Sequence, residues 1–259
     1  MPWRPLVAEP SRKGRPRMRR LLVDAAHTLV PPKGDRHGPL PPLLLTLTVV
    51  TGLVDAVSYL ALGHVFVANM TGNVVFLGFA LAGAEGLSAW ASLAAMAAFL
   101  VGAVAGGRFG TRFADHRGKL LASATTLQAL LVSVALVTVL VTHDRLAAPG
   151  RYVLIVTLAL AMGLQNAAVR RLGVPDLTTT VLTQTLTGLA SDPGPAGGAG
   201  PRPGRRVLAV LSMFLGALAG ALLLRSGTGA VLGVAVALIV VAAVVTRLSS
   251  APGAGWVRP

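Results

Sequence analysis

The side chain best placed to do chemistry is Asp55. Of the nine Asp and Glu residues, the other eight lie in the N-terminal tail or between apolar runs, and Asp55 alone stands deep inside one. An ionised carboxylate in such a place costs on the order of 2.5–3.5 kcal/mol on insertion scales, so it faces a polar cavity or carries a proton. Helical spacing puts Thr48, Thr51, Ser58 and Tyr59 on the same broad face, the kind of stripe that lines a wet cavity. One use for this carboxylate is coupling to a proton or cation. The plain structural alternative is a hydrogen bond to a neighbouring helix, common in membrane bundles.

Two other polar clusters interrupt apolar sequence. The run F-V-A-N-M-T-G-N places Asn69, Thr71 and Asn73 around Gly72. A continuous lipid-facing helix is a poor home for it, and irregular backbone at membrane depth is tolerated only inside protein or beside a water-filled cavity. The second cluster holds Thr178, Thr179, Thr180, Thr183, Gln184, Thr185 and Thr187. Its hydroxyl and carbonyl oxygens could coordinate a small solute or ion, or the hydroxyls could simply bond their own helix. Gln165 and Asn166 are candidates for the wall opposite Asp55, or for bonding between helices. His64 reads as a solvated residue at a span end.

The usual enzymatic signals are missing. There is no Walker loop, G-x-S-x-G elbow, H-E-x-x-H helix or dinucleotide fingerprint. The absence of cysteine removes thiolate catalysis, Fe–S clusters and Cys-based zinc sites. No cofactor, metal or enzymatic activity is expected.

The elements that carry these residues are apolar and long. The chain has 259 residues, 54% hydrophobic, only 12% charged, with a mean hydropathy of +0.71. An ordinary soluble domain carries about 25% charged residues, so this chain lacks the charge to cover a soluble globule. Eight apolar segments stand out, over 40–62, 65–82, 87–107, 120–141, 152–169, 177–190, 207–224 and 230–246. A crossing needs about 20 helical residues. The sixth is too short.

The net charge of +14 could suggest nucleic acid, but its distribution does not. Nine of 23 Lys and Arg lie in the first 39 residues, nearly all the rest sit in short loops between apolar runs, and no basic stripe is interleaved with aromatics. If all eight segments cross, seven basic residues fall outside. If the second and sixth return to the side they came from, only Arg145, Arg151 and Arg225 do. The positive-inside bias therefore predicts six full spans plus two re-entrant or broken segments in an all-α polytopic bundle, with a cytoplasmic N-terminus. A basic, disordered tail over 1–39 precedes the membrane domain over 40–248, and a short tail over 249–259 follows it. The tail has no adequate signal-peptide core and is suited to anionic headgroups.

The halves 40–141 and 151–246 resemble each other. Gly52-Leu53-Val54-Asp55-Ala56 aligns with Gly163-Leu164-Gln165-Asn166-Ala167 at an offset of 111. Thr71-Gly72-Asn73 aligns with Thr183-Gln184-Thr185, offset 112, and the glycines 102 and 106 with 216 and 220, offset 114. With three crossings per half, the halves would enter the membrane from opposite sides, a recurrent transporter architecture. The small-residue faces at these glycines read as packing surfaces within the bundle or in a homo-oligomer.

The runs G-L-V-D-A-V-S-Y-L, G-H-V-F-V-A-N-M-T-G-N-V-V and G-L-Q-N-A-A-V-R-R-L-G-V-P-D-L-T-T-T-V-L-T-Q-T-L-T resemble the YoaK-like family of bacterial integral membrane proteins, over about residues 40–248. That resemblance implies a bacterial inner-membrane protein and supplies no substrate. Together these readings predict a secondary transporter or permease for a small solute, coupled through Asp55. Its site would be drawn from Asp55, Tyr59, Asn69, Thr71, Asn73, Gln165, Asn166, Thr179, Thr183 and Gln184. The alternative is a non-transporting scaffold or assembly partner, with the same polar residues packed dry.

Overall fold

The computed structural model describes residues 17–32, 34–145, 147–177, 179–180, 182–191, 202–251 and 253–258. Among them no strand occurs. Nine α-helices follow one another: α1 (Arg17–Leu29), α2 (Leu40–Ala61), α3 (Met70–Leu81), α4 (Ala89–Arg112), α5 (Arg117–Val141), α6 (Ala148–Leu172), α7 (Leu182–Ser191), α8 (Pro203–Leu223) and α9 (Thr228–Ser249).

Six of these, α2, α4, α5, α6, α8 and α9, are long and apolar enough to cross a membrane. At 1.5 Å per residue, α3 with 12 residues and α7 with 10 extend about 18 and 15 Å, against a hydrocarbon core of about 30 Å. The expected division into six long segments and two short ones is what forms. Local chemistry sets the ends. Ser88 accepts from the Ala91 backbone N–H at 3.2 Å to open α4, and His116 Nδ1 accepts from that of Lys119 to open α5. Gly173, in the left-handed region at φ 60°, ends α6.

The long helices run in a definite pattern. Arg117 at the start of α5 reaches the Leu172 carbonyl at the end of α6, and Asp144 beyond α5 accepts from Thr228 at the start of α9. Gly38 before α2 lies against Trp256 beyond α9. One end of the bundle therefore gathers the starts of α2, α5 and α8 with the ends of α4, α6 and α9. This end carries Arg36, Arg112, Arg117, Arg171, Arg205 and Arg247; the opposite end carries Arg145, Arg151 and Arg225. Since α2 ends and α4 begins at the arginine-poor end, α3 does not cross. By the same argument α7, between the end of α6 and the start of α8, does not cross from the arginine-rich end.

Glycine fixes two close crossings. A Cβ on Gly102 would strike the Leu160 carbonyl, and one on Gly163 the Phe99 carbonyl, so α4 and α6 touch backbone to backbone. At the matching positions, Gly216 meets the Val49 carbonyl and Gly52 the Met213 carbonyl, joining α8 to α2. The small-residue faces are thus occupied within one chain. The innermost helices are α2 and α6, whereas α4, α5, α8 and α9 turn Leu100, Val104, Leu130, Val137, Phe214 and Val241 outward. An apolar rim of that extent calls for lipid.

The tail differs from expectation. Its residues 17–29 form α1 instead of disordered chain, because Leu21 and Ala25 lay backbone against Gly204 at the start of α8, where a Cβ would not fit, and Thr28 is buried. The C-terminal tail also folds back. Trp256 Nε1 donates to the Ser249 carbonyl at 3.1 Å, and Trp256 and Val257 are buried. The remainder of the tail, 1–16, and the Pro/Gly-rich 192–201 lie outside the described residues, as does Thr178.

Candidate functional site

The residues singled out by sequence gather into two clusters, one after α2 and one after α6. Asp55 is buried on α2, six residues before the helix ends at Ala61. Its Oδ1 accepts the backbone N–H of Ala68 at 3.0 Å. Six helical residues span about 9 Å, so the chain leaving α2 turns back down along the span before α3 begins. Non-helical backbone at this depth leaves its N–H groups without helical partners, and a carboxylate is a strong acceptor for one. Asn73 secures the other side of the bend. Fully buried, it accepts from the Phe66 N–H at 2.8 Å and donates through Nδ2 to the Phe66 carbonyl at 2.6 Å. Tyr59 stacks on Phe66 with ring centroids 5.1 Å apart, and Phe76 stacks on Phe66 at 5.7 Å. Asn69 and Thr71 sit beside this bend, but both are exposed in the single chain.

The cluster after α6 repeats the device with different atoms. Asn166 lies six residues before α6 ends at Leu172, and its Oδ1 accepts from Thr180 Oγ1 at 2.6 Å. Asp176, held at φ 63°, ties the same loop to α8 through a 2.7 Å ion pair with Arg206 and a bond from the Arg202 N–H. Arg205, wholly buried, donates to the Pro175 carbonyl. Thr179 is buried here, and its hydroxyl has no partner among the described residues. Thr183 and Gln184 are exposed on α7. Thus Asp55 and Asn166, aligned by the internal repeat, each hold the broken segment that follows their own helix, at opposite ends of the bundle.

Gln165 joins the halves. Its Nε2 donates to Thr51 Oγ1 on α2 at 3.0 Å, and its Oε1 accepts from Gln128 Nε2 on α5 at 2.6 Å. Thr51 is one turn from Asp55 on the same face. All three residues of this chain are buried, and Gln128 Oε1 has no partner among the described residues. Gln165 therefore reaches the Asp55 stripe through interhelical hydrogen bonds. Sequence reasoning passed over Gln128, although an amide amid the apolar run of α5 was a visible signal. The hydroxyls of the stripe are otherwise engaged: Thr48, Thr51 and Ser58 donate to the carbonyls of Leu44, Leu47 and Asp55. Their bonds are within their own helix. Among the described residues no cluster of His, Asp and Glu could hold a metal ion.

A family model described as "Protein of unknown function (DUF1275)" matches residues 43–245. Among curated proteins, the chain is similar to the UPF0700 transmembrane protein YoaK of Bacillus subtilis (strain 168), 34% identical over 152 residues. That match covers 58% of this chain and 65% of the relative's length. No solved structure matches.

Proposed function

The chain belongs to the DUF1275 family of proteins of unknown function, and from its six helices long and apolar enough to cross a membrane we propose that it is a secondary transporter or permease for a small solute. In this reading it lies in a bacterial inner membrane with its arginine-rich end and N-terminus in the cytoplasm, following the positive-inside bias. The halves are an inverted repeat. The segments 62–81 and 173–191 are re-entrant, one from each face. The solute path runs between them along the polar stripe of α2, past Asp55, Thr51 and Gln165.

One observation carries this reading: Asp55 and Asn166, at matched depth, anchor two non-crossing segments that start from opposite ends of the bundle. Paired broken segments of this kind are where inverted-repeat transporters build their sites. Asp55 has the chemistry of a coupling group. Taking up or losing a proton changes its hold on the Ala68 N–H and so the position of the bend. Asn166, which cannot titrate in this way, would keep the other segment fixed. The partners are then the bilayer and the solute, and the protein has no enzymatic step.

Dry satisfaction of the polar groups favours a second reading, a membrane scaffold. Asn73 spends both amide atoms on Phe66, and three stripe hydroxyls bond their own helix. Reconstituted full-length protein, screened for counterflow of small solutes, separates the two. Transport predicts saturable counterflow, with a pH dependence that Asp55→Asn abolishes. Counterflow whose pH dependence survives Asp55→Asn overturns the coupling role, and no counterflow across the screen favours the scaffold.

A further inference from the structure

At the arginine-rich end, away from the Asp55 stripe, a cavity of about 460 Å³ opens between the loop before α2, the α4–α5 turn and the end of α6. Arg36, Arg117 and Arg171 line it with Phe113, Leu120 and Leu172, and no acidic residue does. Arg117 is only half used. Its Nη2 donates to the Leu172 carbonyl at 2.7 Å, closing the end of α6. Its Nη1 is buried without a partner among the described residues, in a side chain more than nine-tenths buried. The nearby carboxylate of Asp35 already accepts from the His37 N–H at 2.7 Å. His37, packed beside this group, is held below the ordinary imidazole range by burial first and then by Arg117 and Arg205, against an opposing pull from Asp35.

Three arginines, one of them buried, and no acid in the lining form a place that an anion completes. Planar donor forks match phosphate oxygens in geometry as well as charge. The apolar side of the cavity adds a second criterion. Phe113, Leu120 and Leu172 offer surface for carbon attached to the anion, and the cavity sits where long helices end, at headgroup level. We propose that this cavity binds a phosphate oxyanion, supplied by an anionic phospholipid headgroup or by free phosphate. The apolar lining favours the lipid.

Thermal melting of the purified full chain in detergent tests this with three probes: phosphatidylglycerol, phosphatidylcholine and inorganic phosphate at matched ionic strength. The variants are Arg117→Gln, Arg171→Gln, which removes an exposed side chain, and Arg247→Gln at the same end of the bundle but outside the cavity. Phosphatidylglycerol is expected to stabilise the protein where phosphatidylcholine does not. Losing one charge-assisted bond weakens that response at least about tenfold in apparent affinity in the Arg171 variant, while Arg247→Gln leaves it unchanged. Stabilisation by inorganic phosphate with the same variant dependence assigns the site to the free anion. Should Arg117→Gln fail to fold, Arg171→Gln decides alone. The proposal is overturned if neither phosphate probe stabilises the protein. It is equally overturned if Arg171→Gln responds like the unmodified chain, or if Arg247→Gln loses as much, which would mean diffuse charge and no site.

Discussion

Replacing Asn73 by Leu removes the clamp on the first broken segment while keeping the branched outline of the side chain. The amide makes two short bonds to one residue, at 2.8 and 2.6 Å, in a place with no solvent. Leucine leaves the N–H and the carbonyl of Phe66 unpaired. At about 1–3 kcal/mol for each buried group left unsatisfied, the loss is about 2–6 kcal/mol. Hydrogen bonds in membranes average only about 0.6 kcal/mol in double-mutant cycles, because the unfolded chain finds other partners in lipid. Phe66 sits at a bend where no helix offers such partners, so a value of about 2–3 kcal/mol follows. Asn73→Asp keeps an acceptor for the Phe66 N–H but, when ionised, buries a charge and sets its second oxygen against the Phe66 carbonyl, so at neutral pH it should cost at least as much. Unfolding in mixed micelles gives the free energies, and hydrogen exchange of the Phe66 and Ala68 amides shows where the loss falls. Normal stability and unchanged exchange in Asn73→Leu would refute the claim that side chains hold this bend.

Further consequences concern packing, the central amides and pH. Gly163→Ala and Gly52→Ala should each destabilise by about 1–3 kcal/mol, because backbone on the facing helix cannot give way; Gly78→Ala, with open space around it, should be neutral in the same melts. Gln165→Leu should cost more than Gln128→Leu, since it severs both bonds of the Thr51–Gln165–Gln128 chain; equal effects in unfolding assays would contradict this order. His37 has a folded pKa lowered from 6.5, by burial first and by Arg117 next. The folded state therefore favours neutral imidazole. That stability is present above the ordinary pKa and is lost as pH falls through the depressed one. Melting temperature should fall with acidification below about pH 6.5, and His37→Gln should flatten the drop.

What could be read from sequence was what polarity and length announce. Asp55 stood out because a carboxylate is costly in an apolar run, and α3 and α7 because their runs were short or broken. Charge counting divided the loops correctly between the two ends. The repeat marked the glycines 52, 102, 163 and 216 that set the crossings. Partners separated in the chain could not be read. Nothing about Ala68 suggests that its backbone meets Asp55, and Asn73 resembles Asn69 in sequence while one is buried and the other exposed. Arg117 and Arg205 read as topology charges in sequence, yet burial and hydrogen bonds, to the Leu172 carbonyl at the end of α6 and to the Pro175 carbonyl in the loop after it, make them structural. Helix α1 was hidden because its order comes from docking on Gly204, a contact that composition does not show.

Two short segments follow α2 and α6 at opposite ends of the bundle, and the absence of native cysteine makes their sidedness directly measurable. Single cysteines at Ala84, after α3, and at Ser191, at the end of α7, are exposed positions on the two segments' far sides. A membrane-impermeant maleimide applied to intact cells should label Ala84→Cys at once and Ser191→Cys only after the inner face is opened. Labelling of both from the same side, or of Ala84→Cys only from the inside, would contradict the arrangement on which the transport proposal rests.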